Sequence, residues 1–265
     1  MNETTPAPFV VPCRDLPLYA PLRWLAAGWR DLVRAPVLTS AFGAIVVVVS
    51  LGVAAMAWQL GRFALLAALL SGFVFVAPLI GVGLYAVSRA LERGEVPRFK
   101  DCLALMRRVV GQAGVFALVQ MVILLLWSRA GMLVNAFVPV EDGSLVSLLE
   151  FLALGSLFGS VFAVATFAIA AFSLPMIADR DVDMVTAGIS SVNAVLRNKA
   201  TALVWAGLIA LLTAVGLATA FIGLGIVMPW LAYAAWHGYR EALDASAWPS
   251  LDADGAEPGS TRSSA

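Results

Sequence analysis

From Ala200 to Tyr239 the chain runs forty residues without an Asp, Glu, Lys or Arg. A helix crosses the hydrocarbon core of a bilayer with about 20 predominantly apolar residues. The stretch therefore predicts two membrane spans joined by a tight turn, placed near Gly216 to Gly225, and makes the chain a polytopic membrane protein. Composition agrees. The 265 residues are 61% hydrophobic and 13% charged, with a mean hydropathy of +0.91, whereas a soluble domain averages about 25% charged residues. A charge at the bilayer centre costs about 2.5–3.5 kcal/mol on insertion scales. The net charge of zero gives no reason to expect a nucleic-acid partner.

Four further apolar runs complete an all-α fold of six transmembrane helices in three hairpins. Span one is expected at Val37–Trp58, span two at Phe63–Val87, span three at Val109–Trp127 and span four at Phe151–Ile177, with spans five and six in the opening stretch. Three amphipathic segments precede the hairpins: Leu22–Arg34, with Trp24 and Trp29 expected near the headgroups, a second beginning at Arg98, and Asp183–Arg197. Residues 1–17 read as a Pro-rich disordered lead, 18–244 as the transmembrane domain and 245–265 as a disordered tail. No cleavable signal peptide is visible, so span one is expected to act as the targeting signal. Lys and Arg divide fifteen to two between the two sides, with only Arg62 and Arg129 on the poorer side. The positive-inside rule then puts both termini in the cytoplasm, where Cys13 and Cys102 are expected to remain thiols. Each amphipathic segment ends in two apolar residues and an Arg, as in Leu32-Val33-Arg34 and Val195-Leu196-Arg197. This hints at three parallel repeats.

Candidate functional residues are few. Asp179, Asp181 and Asp183 alternate in a way that suits a divalent cation. An EF-hand loop, however, would need Gly and Glu where Met184 and Ser190 stand, and capping of the following helix explains the cluster better. His237, the one histidine, lies in Trp236-His237-Gly238-Tyr239-Arg240. It fits an aromatic belt at the end of span six, with Arg240 as a second candidate beside it. Inside the spans only hydroxyls, amides and glycines occur. Gln112, Gln120 and Ser160 are candidates for lining a polar cavity, and Gly155-Ser156-Leu157-Phe158-Gly159 is a small-residue pair suited to close helix contact. No ionisable group sits mid-span, which argues against ion-coupled transport. No catalytic residue, metal site or cofactor is expected.

Trp24-Leu25-Ala26-Ala27-Gly28-Trp29-Arg30-Asp31, Gly83-Leu84-Tyr85 with Ser88-Arg89, Leu91-Glu92-Arg93-Gly94-Glu95, Asp179-Arg180-Asp181-Val182-Asp183 and Ala234-Ala235-Trp236-His237-Gly238-Tyr239-Arg240 resemble a domain-of-unknown-function family of bacterial integral membrane proteins. The resemblance spans roughly residues 14 to 244. Some members carry a cytochrome c oxidase subunit I label. A single histidine cannot build a haem–copper centre, so the label does not extend to this sequence. The resemblance implies a multi-pass protein of the bacterial inner membrane. The expected function is non-enzymatic: a scaffold, assembly or lipid-organising protein working through its cytoplasmic face, with membrane lipids and a membrane protein as partners. The alternative is a permease for a neutral or apolar small solute. The Asp183–Arg197 helix is expected to pack Val185, Ile189, Val192 and Leu196 against the bundle, and the Leu22–Arg34 helix to lie peripherally against lipid.

Overall fold

A computed structural model describes residues 9–60, 80–137 and 145–251. These form eight helices in chain order: α1 (Ala20–Arg34), α2 (Pro36–Leu60), α3 (helical residues 80–92), α4 (Phe99–Phe137), α5 (Leu145–Asp179), α6 (Met184–Arg197), α7 (Lys199–Ala218) and α8 (Leu224–Ala242). Among the described residues the only extended pairing is two isolated bridges, Cys13 with Leu243 and Arg180 with Ser250. Cys13 and Cys102 are free thiols.

Among the described residues, four helical segments are long and apolar enough to cross a membrane: Pro36–Met56, Phe99–Val134, Leu145–Asp179 and Lys199–Ala218. Most of expected span two lies outside the described residues. Expected span six is helical as α8 but is not one of the four. Its last turns carry His237, Arg240 and Glu241, and its buried residues fall all round the helix, from Leu224 and Val227 through Tyr233, Ala234 and Trp236 to Tyr239. It is the central helix, packed against α1, α2, α5 and α7. A helix enclosed by protein can carry polar groups that a lipid-facing one cannot. The turn before it occupies residues 219–223, within the expected range. There Ala220 and Phe221 adopt positive φ (51° and 69°), and the Thr219 hydroxyl accepts from the Gly223 N–H at 2.8 Å.

Several expectations are corrected. The segment beginning at Arg98 is not a separate interfacial helix but the start of α4. At 39 residues, α4 is about 58 Å long at 1.5 Å per residue, nearly twice the roughly 30 Å hydrocarbon core. The helices of expected spans three and four likewise extend into the expected loop Ser128–Glu150, α4 as far as Phe137 and α5 from Leu145. The lead is ordered from Phe9 onward, held by side chains far away in sequence. The Val11 N–H donates to Ser190 Oγ (3.0 Å), the Leu16 N–H donates to Asn198 Oδ1 (2.8 Å), and Asn198 Nδ2 donates to the Arg14 carbonyl (3.0 Å). Expected tail residues Ala245, Trp248 and Leu251 are buried.

α1 is not peripheral. It lies along α8, with Trp24 buried and set edge-on to Phe172 (6.0 Å) and Trp205 (5.6 Å). Only Trp29 of the expected headgroup pair is exposed. α6 does pack into the bundle, against α5, but mainly through another face than the expected one. Of the four expected contacts Val192 is partly buried against the core, but Val185, Ile189 and Leu196 are exposed, while Ala187, Ser190, Ser191 and Ala194 are fully buried. The Ser191 hydroxyl inserts into the α5 ladder, accepting from the Phe172 N–H (3.1 Å) and donating to the Ala168 carbonyl (2.7 Å). Among the described residues, Gly155 has no neighbour where a side chain would stand, and Gly159 meets only Trp127 at 3.5 Å. The tight contacts lie elsewhere: Gly28 against α8, and Gly43 of α2 against Gly225 of α8.

Candidate functional site at the polar end of the bundle

Two of the three alternating carboxylates diverge completely. Asp183 N-caps α6, its Oδ1 accepting from the Val185 and Thr186 N–H groups, both at 2.9 Å. Burial alone would raise its pKa. Hydrogen bonds from Thr186 and Val185 outweigh that and hold the carboxyl below the usual range. A lowered folded-state pKa means that the cap's contribution is present above the ordinary carboxylate pKa and is lost as pH falls through the lowered value. Asp183→Ala should therefore cost about 1 kcal/mol at neutral pH. Thermal melts in detergent should show variant and wild type converging in acid; a gap independent of pH would contradict the capping account. Asp181 is exposed, and its N–H donates to the Pro249 carbonyl at 2.9 Å.

Asp179 points the other way, into protein. It is 5% exposed and gathers cations and a phenol. Its Oδ2 accepts from Tyr239 Oη (2.8 Å) and Arg180 Nε (3.1 Å) and lies 3.4 Å from Arg240 Nη1, while Arg89 Nε stands 4.0 Å from Oδ1. Arg240 also approaches Glu92 (3.4 Å). His237, one turn earlier on α8, has Nε2 2.8 Å from buried Asp31 Oδ2 and Nδ1 3.8 Å from Glu92. The Ser88 hydroxyl donates to the same Asp31 oxygen at 2.7 Å. The structure thus joins Asp179, His237 and Arg240 in one network with Asp31, Ser88, Arg89, Glu92 and Tyr239, tying α1, α3, α5 and α8 together. His237 is thus part of this network. Among the described residues no group of three or more His, Cys, Asp or Glu could hold a metal ion.

Beside this network a cavity of about 400 Å³ is lined by Arg89, Glu92, Arg93, Asp179, Arg180, Trp236, Arg240 and Ser250. The C-terminal segment forms one wall, fixed by the Leu251 N–H on the Asp179 carbonyl (3.2 Å) and by Arg180 Nη1 on the Trp248 carbonyl (3.0 Å). Sequence reading missed Asp31, Arg89, Glu92 and Tyr239 as site residues. The available signal was that the resembling motifs around 31, 89–92, 179 and 239 each combine a charge with an aromatic or small neighbour at a helix end.

Gln112, Gln120 and Ser160 do not converge. Gln112 Oε1 accepts from the Met184 N–H at 2.9 Å, and Ser160 donates to its own helix at the Leu157 carbonyl. Gln120 lines a mostly apolar cavity of about 370 Å³ with Trp127 and Phe162. A larger cavity, about 520 Å³, lies among α2, α3, α5, α7 and α8. Tyr85, Phe167, Trp205 and Met228 are among its walls, with Thr166 and Thr213 the hydroxyls.

No curated protein and no solved structure matches the chain. Residues 65–179 match the family model described as "Predicted integral membrane protein (DUF2189)", a shorter extent than the motifs suggested, taking in Gly83–Glu95 and Asp179 but neither the α1 nor the α8 motif. With four helices able to cross a bilayer, the chain is an integral membrane protein, and over residues 65–179 it resembles this family of unknown function.

Proposed function

We propose that the protein is a non-enzymatic scaffold or lipid-organising element of a bacterial inner membrane, working through the end of the bundle that holds α1, α6 and both described chain ends. In this reading six spans form three hairpins, and the polar end faces the cytoplasm, as the fifteen-to-two division of Lys and Arg requires. One observation carries the reading: charged groups and ordered chain ends gather at one end around the arginine-lined cavity, while the cavities among the apolar helices are lined mainly by hydrocarbon. Proteins and phospholipids co-purifying in mild detergent should depend on that end. Ile189→Lys with Leu196→Lys, both at exposed positions of α6, should deplete them, and Leu149→Lys, exposed on α5, should not. Reporters active only outside the cytoplasm should work when fused near Pro139 and stay silent at Glu95 or Lys199. Equal depletion by both sets of variants would defeat the scaffold reading.

The 520 Å³ cavity favours a second reading, a permease for an apolar solute, since its size suits a small ligand. Facilitated exchange into vesicles, blocked by Thr213→Trp, would support it over the first.

A further inference from the structure

We infer that the cavity of about 520 Å³ among α2, α3, α5, α7 and α8 binds a neutral, mainly hydrocarbon molecule that carries an acceptor oxygen, such as a ketone, to which the Tyr85 hydroxyl donates. This deepens the reading of that cavity as a place for an apolar solute and rests on it. It concerns binding alone, whether or not the ligand crosses the membrane. The volume lies within the usual range for small-molecule sites. Among the described residues no charged side chain lines it. Leu84, Ile209, Met228 and Leu231 supply hydrocarbon, and Phe167 and Trp205 supply aromatic rings. An ion there would give up its hydration with no counter-charge in the wall, whereas a neutral apolar body gains dispersion contacts.

Tyr85 is the exception in this wall. The residue is 6% exposed. Its ring stacks on Trp236, with centroids 6.4 Å apart, and Trp236 lines the arginine cavity, so the ring pair stands between the two cavities. The phenol end lies over Gly81, another wall residue, where a methyl would stand 3.5 Å from the hydroxyl oxygen. Among the described residues that hydroxyl makes no hydrogen bond. The Trp236 indole nitrogen, also without a partner, is sealed off; the Tyr85 oxygen keeps accessible surface. Thr166 and Thr213, the other hydroxyls of the wall, can turn to carbonyls of their own helices. A phenol carries its hydroxyl too far from its own backbone to do so. Its donor is therefore left unmet at low dielectric, which is costly. A ligand oxygen in the cavity supplies the acceptor that the wall lacks.

The test uses the full-length chain in mild detergent with two matched probes. Benzophenone carries a ketone oxygen between its rings; diphenylmethane has the same rings and no acceptor. Equilibrium binding compares their affinities, and benzophenone, being photoreactive, also reports its own position by peptide mass spectrometry. Wild type should bind benzophenone about fivefold more tightly than diphenylmethane, the worth of one neutral hydrogen bond. The photolabel should map to wall residues of α8 such as Met228 or Leu231. In Tyr85→Phe the two affinities should become equal through weaker benzophenone binding. Its melting temperature should hold or rise, because the lost hydroxyl had no partner in the protein. Thr213→Trp, which fills the cavity, should expel both probes. Equal affinities in wild type, a preference that persists in Tyr85→Phe, labelling confined to residues outside the cavity, or a clear fall in the Tyr85→Phe melting temperature overturns the inference. If Thr213→Trp still blocks exchange into vesicles in that event, the permease reading survives without the Tyr85 site. Tyr85-dependent binding with no facilitated exchange keeps the site and removes transport.

Discussion

Gly43→Ala should lower the stability of the protein by about 3 kcal/mol, the upper end of the usual range for overpacking. A Cβ built on Gly43 would stand 2.2 Å from the Gly225 carbonyl oxygen and 3.1 Å from its carbonyl carbon. Those are backbone atoms of α8, so no side chain can swing aside and α2 must move off the central helix. Gly28→Ala meets the same obstacle on the α1 side, 2.7 Å from the Ala234 nitrogen and 3.0 Å from the Trp230 carbonyl oxygen, and should cost about 2 kcal/mol. Gly52→Ala is the counter-case. It lies in α2 with nothing among the described residues within 4 Å of the new methyl, so relief of glycine's conformational entropy should stabilise by about 0.5–1 kcal/mol. Thermal unfolding of the three variants in one detergent separates the outcomes by sign. A wild-type melt for Gly43→Ala would mean that α2 and α8 do not approach this closely.

Asp179→Ala should be more damaging still, at about 3–5 kcal/mol. The carboxylate is buried and is the shared partner of Tyr239, Arg180 and Arg240, with Arg89 nearby. Removing it leaves guanidinium groups concentrated at low dielectric with less counter-charge. The ion pair of Arg14 with Asp244 provides the comparison. Its separation is 3.7 Å and its side chains are 56% and 44% exposed, so Arg14→Gln should change stability by less than about 1 kcal/mol. Near-equal melting temperatures for the two variants would show that the Asp179 network does not hold α3, α5 and α8 together.

Much of the site lay open to view in the linear chain, though not its connectivity. Asp183 as a helix cap follows from a residue type and its immediate successors, because the acceptor and both donors lie within three positions. Asp179, His237 and Arg240 drew notice as charges at helix ends. That His237 would meet Asp31 across 206 positions, and Arg240 meet Asp179 across 61, could not be seen in one dimension. The lead is the sharper example. Residues 9–17 have a composition suited to disorder, yet they bond to the side chains of Ser190, Asn198 and Thr201 and to the backbone of Ala242 and Asp244, and order there comes from those distant groups.

The sequence by itself determined that this chain enters a membrane, since transfer of apolar helices into hydrocarbon depends mainly on length and composition, summed residue by residue. It determined the all-helical class as well, because a single segment crossing lipid must satisfy its own backbone groups. Only the tertiary structure decided which faces meet. The apolar stripe of Val185, Ile189, Val192 and Leu196 looked like a packing surface, yet all of it but the partly buried Val192 is exposed, and the small and hydroxyl-bearing face of Ala187, Ser190 and Ser191 is buried. In water, apolarity marks the inward face. Where hydrocarbon can surround the protein that cue no longer discriminates, and close van der Waals approach with hydrogen bonding between helices selects the contact instead. The same physics placed Trp24 in the core and Trp29 at the surface, although both are tryptophans on one short helix.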